Sequence, residues 1–200
     1  MAFPATNDGG AAVSVPGLTM PVPAGGRVTL NVGTYLAGLG VPTPINLSVA
    51  VQSSQPILVE RPLYFAADPG VGVTVDGGTD VVGFASLASG YSFAEGTYRP
   101  GFSEFVTIGN PGAAPADVLV SFQGTVDGIP PRAVTVPPSG RATVNATEWL
   151  RTNGFTPPVD FSLRVTSTQP VVCERAIYFA ADPGVGTAVD GGTDAVGFAG

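Results

Sequence analysis

Two glutamates, Glu95 and Glu104, come closest to an enzymatic arrangement in this sequence. Glycosidases use such a pair of carboxylic acids, one as the general acid and the other as the base or nucleophile. The chain has no His and a single Cys, so a serine nucleophile has no histidine to activate it and the commonest general base is missing. We therefore predict a chain without enzymatic activity, in which Glu95 and Glu104 are not a catalytic pair.

Aspartates recur among glycines in two similar stretches, YFAADPGVGVTVDGGTDVVGF at 64–84 and YFAADPGVGTAVDGGTDAVGF at 178–198. Calcium binds about six to eight oxygen ligands, and interspersed glycines let a loop wrap round the ion. The candidate calcium ligands are Asp76, Asp80, Asp190 and Asp194. The spacing is not that of an EF-hand, and Asp-Gly pairs are equally usual in tight turns. A turn and a calcium site both stay open as interpretations, and no other cofactor is predicted.

The charge balance excludes some partners. The net charge is −7, with 15 acidic and 8 basic residues, and every basic residue is an arginine. Nucleic acid binding needs a basic surface, so we do not expect it. The chain has no apolar run of about 18 residues and begins with MAFPATNDGG, which does not resemble a signal peptide. We expect no membrane insertion and no export signal within this chain.

The two glycine-rich stretches belong to a longer duplication with a constant offset of 114 residues. QPILVERPLYF at 55–65 matches QPVVCERAIYF at 169–179, and GGRVTLNVGTYL at 25–36 matches SGRATVNATEWL at 139–150. A period of this length suits a small domain rather than a solenoid turn. We predict a partial first repeat at 1–92, which lacks its opening strands, and a nearly complete second repeat at 93–200.

The pattern of apolar residues is that of short β-strands. Val118, Val120 and Phe122 alternate with polar residues, as do Leu47, Val49 and Val51, and Gly and Pro pairs separate such runs. Only TEWLRTNG at 147–154 indicates a helical turn, with Trp149 predicted to fill the core beneath it. The predicted fold class is all-β, with tandem antiparallel, immunoglobulin-like β-sandwiches.

Each repeat places a charged pair inside an apolar strand, Glu60 with Arg61 and Glu174 with Arg175. Adjacent strand residues point to opposite faces, so one member should face solvent while the other packs or pairs with a neighbouring strand. Arg27 or Arg141 is the candidate partner. Cys173 aligns with a valine in the first repeat, which predicts a small buried apolar side chain.

The motifs FAEGTYRPGFSEFVTIGNPGAAPADVLVSF, PPSGRATVNATEWL and VTSTQPVVCERAIYF resemble the tandem repeats of secreted surface proteins of bacteria, common in actinobacteria. The resemblance covers 93–200 and most of 15–92. It implies a non-catalytic extracellular or cell-surface β-sandwich module that acts as a spacer or in adhesion. The implied partners are neighbouring repeats or copies of the same chain.

Two refinements of this function are consistent with the residues. If the first repeat lacks strands, a strand from another molecule could complete it, which would produce a filament. Alternatively, the chain is a carbohydrate-binding module of a surface hydrolase, and exposed aromatic residues such as Tyr91, Tyr98 and Trp149 form its glycan platform.

Overall fold

The computed structural model of the chain describes residues 1–7 and 10–200. Strands dominate it, and there are two short helices, α1 (Val32–Gly38) and α2 (Ala146–Thr152). The strands are β1 (Ala5–Asn7), β2 (Ala12–Val13), β3 (Ile45–Leu47), β4 (Glu60–Ala67), β5 (Val75–Val82), β6 (Ala88–Phe93), β7 (Thr97–Tyr98), β8 (Phe102–Asn110), β9 (Ala116–Gly124), β10 (Arg132–Val136), β11 (Gly140–Asn145), β12 (Val159–Ala181), β13 (Val189–Val196) and β14 (Phe198–Ala199).

Strand β12 organises a sandwich of two antiparallel layers. Its first half pairs with β9 on one side and β6 on the other, in the order β10-β9-β12-β6-β14. A shift of register between Thr166 and Val171 separates the two halves. The second half pairs with β8 and β13, and β8 in turn pairs with β11. One strand of 23 residues therefore contributes to both layers.

The core lies between these two layers and follows the strand period of two. Leu163, Val165, Val171 and Cys173 of β12 are buried along one face. They pack with apolar residues of the other strands, including Val106, Ile108, Val118, Val120 and Tyr91. Cys173 is a free, buried thiol within this cluster, as its alignment with valine predicts, and burial raises its pKa.

The predicted all-β antiparallel sandwich is confirmed, and the strand over Val118–Phe122 forms as expected. The alternation at Leu47, Val49 and Val51 predicts a longer strand than the one observed. Strand β3 ends at Leu47, so Val49 and Val51 lie outside it. The predicted domain boundary at 92/93 falls inside β6, which pairs with β12 and so belongs to the sandwich. The sandwich therefore begins at Ala88.

The residues before β6 form smaller elements. Strands β1, β2 and β3 make a three-stranded sheet, and β4 and β5 make a separate hairpin. Several elements match later ones at the 114-residue offset: α1 matches α2, and β5 matches β13. The sequence analysis missed α1, whose cap Asn31 accepts a hydrogen bond from Thr34 N at 2.9 Å just as Asn145 caps α2. Tandem repetition of whole domains stays a prediction.

Helix α2 closes one end of the core through Leu150 rather than Trp149. Leu150 has no exposed surface, whereas Trp149 is half-buried. The Trp149 indole donates its N–H to the Pro130 carbonyl at 2.8 Å, and the Arg132 guanidinium lies 4.9 Å from its ring centre. The prediction that Trp149 fills the core was wrong, because a helix of this length directs adjacent side chains about 100° apart, so that only one of the two points inward.

We expect Leu150→Ala to lower the free energy of unfolding by about 2–5 kcal/mol, because it leaves a cavity in a closed core. Trp149→Ala is the matched control on the same helix and should cost less, since its ring is partly in water. Urea unfolding followed by circular dichroism measures both. Equal losses would contradict the assignment of Leu150 as the core residue.

Candidate functional site

The two glycine- and aspartate-rich stretches each form a β-hairpin. We call β4–β5 the first hairpin, and residues 174–181 of β12 with β13 the second hairpin. Asp68 closes the turn of the first, its Oδ1 accepting hydrogen bonds from the backbone N–H groups of Gly70, Val71 and Gly72 at 2.8–3.0 Å. Asp182 does the same in the second hairpin. These donors lower the pKa of both carboxyls.

The paired glycines make room for aromatic rings from the facing strand. Gly78 lies opposite Tyr64, and a Cβ there would stand 3.1 Å from the tyrosine ring. At Gly192 a Cβ would stand 2.9 Å from the Tyr178 ring and 2.8 Å from the ring of Phe65. The double glycine therefore lets rings lie flat on the hairpins, and at Gly192 one of those rings comes from the first hairpin.

The first hairpin packs face to face on the second. Alternation divides each hairpin into two faces. The arginine face includes Arg61, Leu63, Phe65, Val75, Gly77 and Val81 in the first hairpin and Arg175, Ile177, Phe179, Val189, Gly191 and Ala195 in the second. The aspartate face consists of Glu60, Tyr64, Asp76, Gly78 and Asp80 in the first and of Glu174, Tyr178, Asp190, Gly192 and Asp194 in the second. The first hairpin's arginine face covers the second hairpin's aspartate face.

Aromatic and polar contacts connect these two faces. The rings of Phe65 and Tyr178 meet edge to face, with centroids 5.1 Å apart. Arg61 forms ion pairs with Glu174 at 3.2 Å and with Asp194, whose side chain is only 7% exposed. Asp190 Oδ2 accepts a hydrogen bond from Asp76 N at 2.9 Å. Burial raises the pKa of Glu174, an effect that Arg61 opposes.

The structure places the four candidate calcium ligands on these faces but does not gather them. Asp76 and Asp190 are neighbours across the stack, Asp194 pairs with Arg61, and Asp80 is exposed on the far side of the first hairpin. In residues 1–7 and 10–200, no group of three or more His, Cys, Asp or Glu is placed to hold a metal ion. The calcium interpretation stays a prediction.

A second polar cluster lies inside the sandwich, where the arginine face of the second hairpin meets the FAEG turn. Arg175 is buried and donates to the Glu95 carbonyl oxygen through Nη1. Glu104 has no exposed surface, and its Oε2 accepts a hydrogen bond from Thr97 N at 3.0 Å. Glu104 Oε1 and Arg175 Nε have no hydrogen-bond partner within the described part of the chain.

The environment of Glu104 suits a structural role. Burial, opposed by the Thr97 N–H and by Arg175, raises the pKa of Glu104 to about 7. The Glu95 side chain is exposed, whereas Glu104 lies sealed beneath the FAEG turn. A Cβ at Gly96 would stand 2.9 Å from Glu104 Oε2, so the glycine of FAEG permits this close approach. In this conformation a substrate has no access to Glu104.

The aromatic residues named for a glycan platform differ in exposure. Tyr91 is 2% exposed, so its expected exposure is wrong: its hydroxyl donates to the Val171 carbonyl at 2.7 Å inside the core. Tyr98 is half-buried on β7. Trp149 borders an open groove of about 230 Å³. The lining residues of the groove are Arg132, Thr143, Val144, Asn145, Glu148, Trp149 and Thr152.

Sequence reasoning did not find the contact between the two hairpins. It predicted that one member of each Glu-Arg pair faces solvent, which holds for the exposed Glu60. It named Arg27 or Arg141 as the partner; Arg141 lies close enough to lower the pKa of Glu174, but the ion pair of Glu174 is with Arg61. The available signal was the repeat itself, since Arg61 and Arg175 occupy matching positions and only the later one has a FAEG turn to bind. An arginine without its usual acceptor needs another, and the acidic face of the next hairpin supplies it.

Comparison with known proteins gives distant likenesses among solved structures. No model of a protein family matches the chain, and no curated protein sequence matches it. Among solved structures, Thermotoga maritima 1070 is 18% identical with a TM-score of 0.46, covering 57% of this chain and 96% of its own. The Anabaena sensory rhodopsin transducer is 24% identical with a TM-score of 0.38, covering 46% and 97%. Neither likeness bears on function.

Across the residues that the structure describes, no helix has both the length and the apolar character needed to cross a bilayer.

The raised pKa of Glu104 predicts a pH dependence of stability. The folded-state pKa lies above the unfolded value, so the protonated carboxyl stabilises the fold below about pH 4.5, and this contribution is lost as the pH rises to about 7. The difference corresponds to at most about 3 kcal/mol. We expect Glu104→Gln, which cannot ionise, to flatten the decline in unfolding free energy between pH 5 and about 7.5 relative to the unmodified chain.

Urea unfolding at a series of pH values measures this effect. The matched control is Asp127→Asn, which removes an exposed carboxyl that is not among the groups acting on Glu104, so the decline should persist in this variant. The prediction fails if Glu104→Gln and the unmodified chain decline in parallel over that pH range.

Proposed function

We propose that this chain is a non-catalytic structural and interaction module of a bacterial surface protein, serving as a spacer or in adhesion. Its proposed location is outside the cell, and its proposed partners are neighbouring repeats and copies of itself. The motif resemblance of residues 93–200 motivates the location, and the packing of the molecule motivates the structural role.

The observation that carries the proposal is the stacking of the two hairpins. The first hairpin binds the second through ring packing of Phe65, ion pairs of Arg61 and a hydrogen bond from the backbone of Asp76. A contact of this kind fixes successive copies relative to each other, which is what a spacer requires. Glu104 and Arg175, the most deeply buried charged residues, serve the same end by tying the FAEG turn to β8 and β12.

Surface labelling tests the proposed location. An antibody raised against the purified chain should bind intact cells of the bacterium that produces it, and brief protease treatment of those cells should remove the signal. A cytoplasmic protein probed in the same cells is the control and should be detected only after permeabilisation. Detection of the chain only after permeabilisation would refute the surface location.

A second candidate function, carbohydrate binding, has one observation in its favour. The groove beside α2 combines a half-buried indole, a guanidinium stacked 4.9 Å from its ring centre, and polar side chains along its wall. Sugar rings stack on aromatic faces while their hydroxyl groups bind polar side chains, so this groove suits a glycan better than the buried Tyr91 does.

Pull-down on insoluble polysaccharides tests this second candidate. Binding that saturates and falls at least about tenfold in Trp149→Ala, a loss of about 1.4 kcal/mol, would support it. Tyr64→Ala is the matched control, because Tyr64 is 83% exposed on the first hairpin, far along the chain from the groove residues. Binding that is absent, or equal in both variants and the unmodified chain, would exclude the groove as a glycan site.

A further inference from the structure

After the two hairpins stack, one arginine face and one aspartate face have no hairpin packed on them. The first hairpin's arginine face and the second hairpin's aspartate face are joined inside the chain. The first hairpin's aspartate face is uncovered: Tyr64 is 83% exposed, whereas its counterpart Tyr178 is half-buried. Asp80 is likewise exposed, whereas the side chain of its counterpart Asp194 is 7% exposed.

The arginine face of the second hairpin is uncovered in its outer part. Val75 of the first hairpin is fully buried, but its counterpart Val189 is 44% exposed. Phe179, the counterpart of Phe65, is half-buried and stacks on Phe102 with ring centroids 6.0 Å apart. A partly exposed valine and phenylalanine on one sheet face provide apolar surface that another protein can cover.

We propose that these two uncovered faces bind each other between copies of this chain. The Phe179 and Val189 part of one copy would cover Tyr64, Gly78 and Asp76 of the next, repeating between molecules the contact that Phe65 and Val75 make within the chain. This inference rests on the proposed structural role and replaces strand exchange with face-to-face stacking as the means of assembly.

The internal contact shows what geometry the assembly would have. It is not reciprocal, because Arg61 pairs with Asp194 while its counterpart Arg175 binds the Glu95 carbonyl in its own sandwich. A contact between two different faces is heterologous, and its repetition produces an open, head-to-tail chain unless a rotation closes it into a ring. Each copy has one face of each kind, so growth requires no further surface.

The charges determine the strength and salt response of this contact. Arg175 binds the Glu95 carbonyl within its own molecule. The contact between two molecules would therefore lack ion pairs like those that Arg61 forms within the chain. Each copy also carries a net charge of −7, so copies repel at low ionic strength. We expect weak association that strengthens as salt screens the repulsion.

Sedimentation velocity and light scattering over a range of chain concentrations and salt test the proposal. The unmodified chain should form dimers and larger species as concentration and salt increase. Tyr64→Ala removes the ring of one face and Val189→Asp places a charge on the other, so each variant alone should stay largely monomeric. The matched controls Leu119→Ala and Val126→Asp alter exposed apolar residues of the sandwich, outside both hairpins, and should associate like the unmodified chain.

A mixture of the two face variants gives the decisive result. Tyr64→Ala retains an intact arginine face and Val189→Asp an intact aspartate face, so a head-to-tail contact predicts one-to-one dimers that grow no further. An unmodified chain that stays monomeric at every concentration, or association unaffected by either substitution, would overturn the inference. Neither result would alter the surface-labelling experiment, so the two proposals can fail separately.

Discussion

The backbone hydrogen bonding of β12 is the constraint on which the rest of the structure depends. A strand of 23 residues has too many N–H and C=O groups to leave unpaired in a core. Its first half satisfies them with β9 and β6, and its second half with β8 and β13. The change of partners at residues 166–171 lets one strand serve both layers. Buried apolar residues alternate on both sides of it, at Phe161, Leu163 and Val165 before and at Val171, Cys173 and Ile177 after.

The same strand connects the core to the hairpin stack. Inward-facing Arg175 holds the FAEG turn, and outward-facing Glu174 and Tyr178 receive the first hairpin. Neighbouring residues of one strand therefore serve two different interfaces, because successive side chains point to opposite faces. This explains why a charged pair is found in the middle of an apolar strand: each charge belongs to a different surface, and each finds a partner there.

Two closely similar motifs have different surroundings because only one of them lies in a sandwich. The second hairpin continues from β12 and uses its inner residues Arg175 and Ile177 in the core. The first hairpin has no such layer among the described residues before it. Arg61, which matches Arg175, and Phe65, which matches Phe179, bind the next hairpin instead. The proposed association between molecules would use the surfaces that this difference leaves uncovered, namely the aspartate face of the first hairpin and the outer part of the arginine face of the second.

The sequence by itself determined the fold class, the strand over Val118–Phe122, the helical turn near residue 147 and the burial of Cys173. These features depend on local periodicity, turn residues and apolar character, which can be recognised within a short stretch of sequence. Only the tertiary structure decided that Leu150 rather than Trp149 enters the core, that Tyr91 is buried, that β6 belongs to the sandwich, and that Arg61 pairs with Glu174 and Asp194. Those outcomes depend on which segments meet in space, and residues more than a hundred positions apart leave no local pattern that specifies their contact.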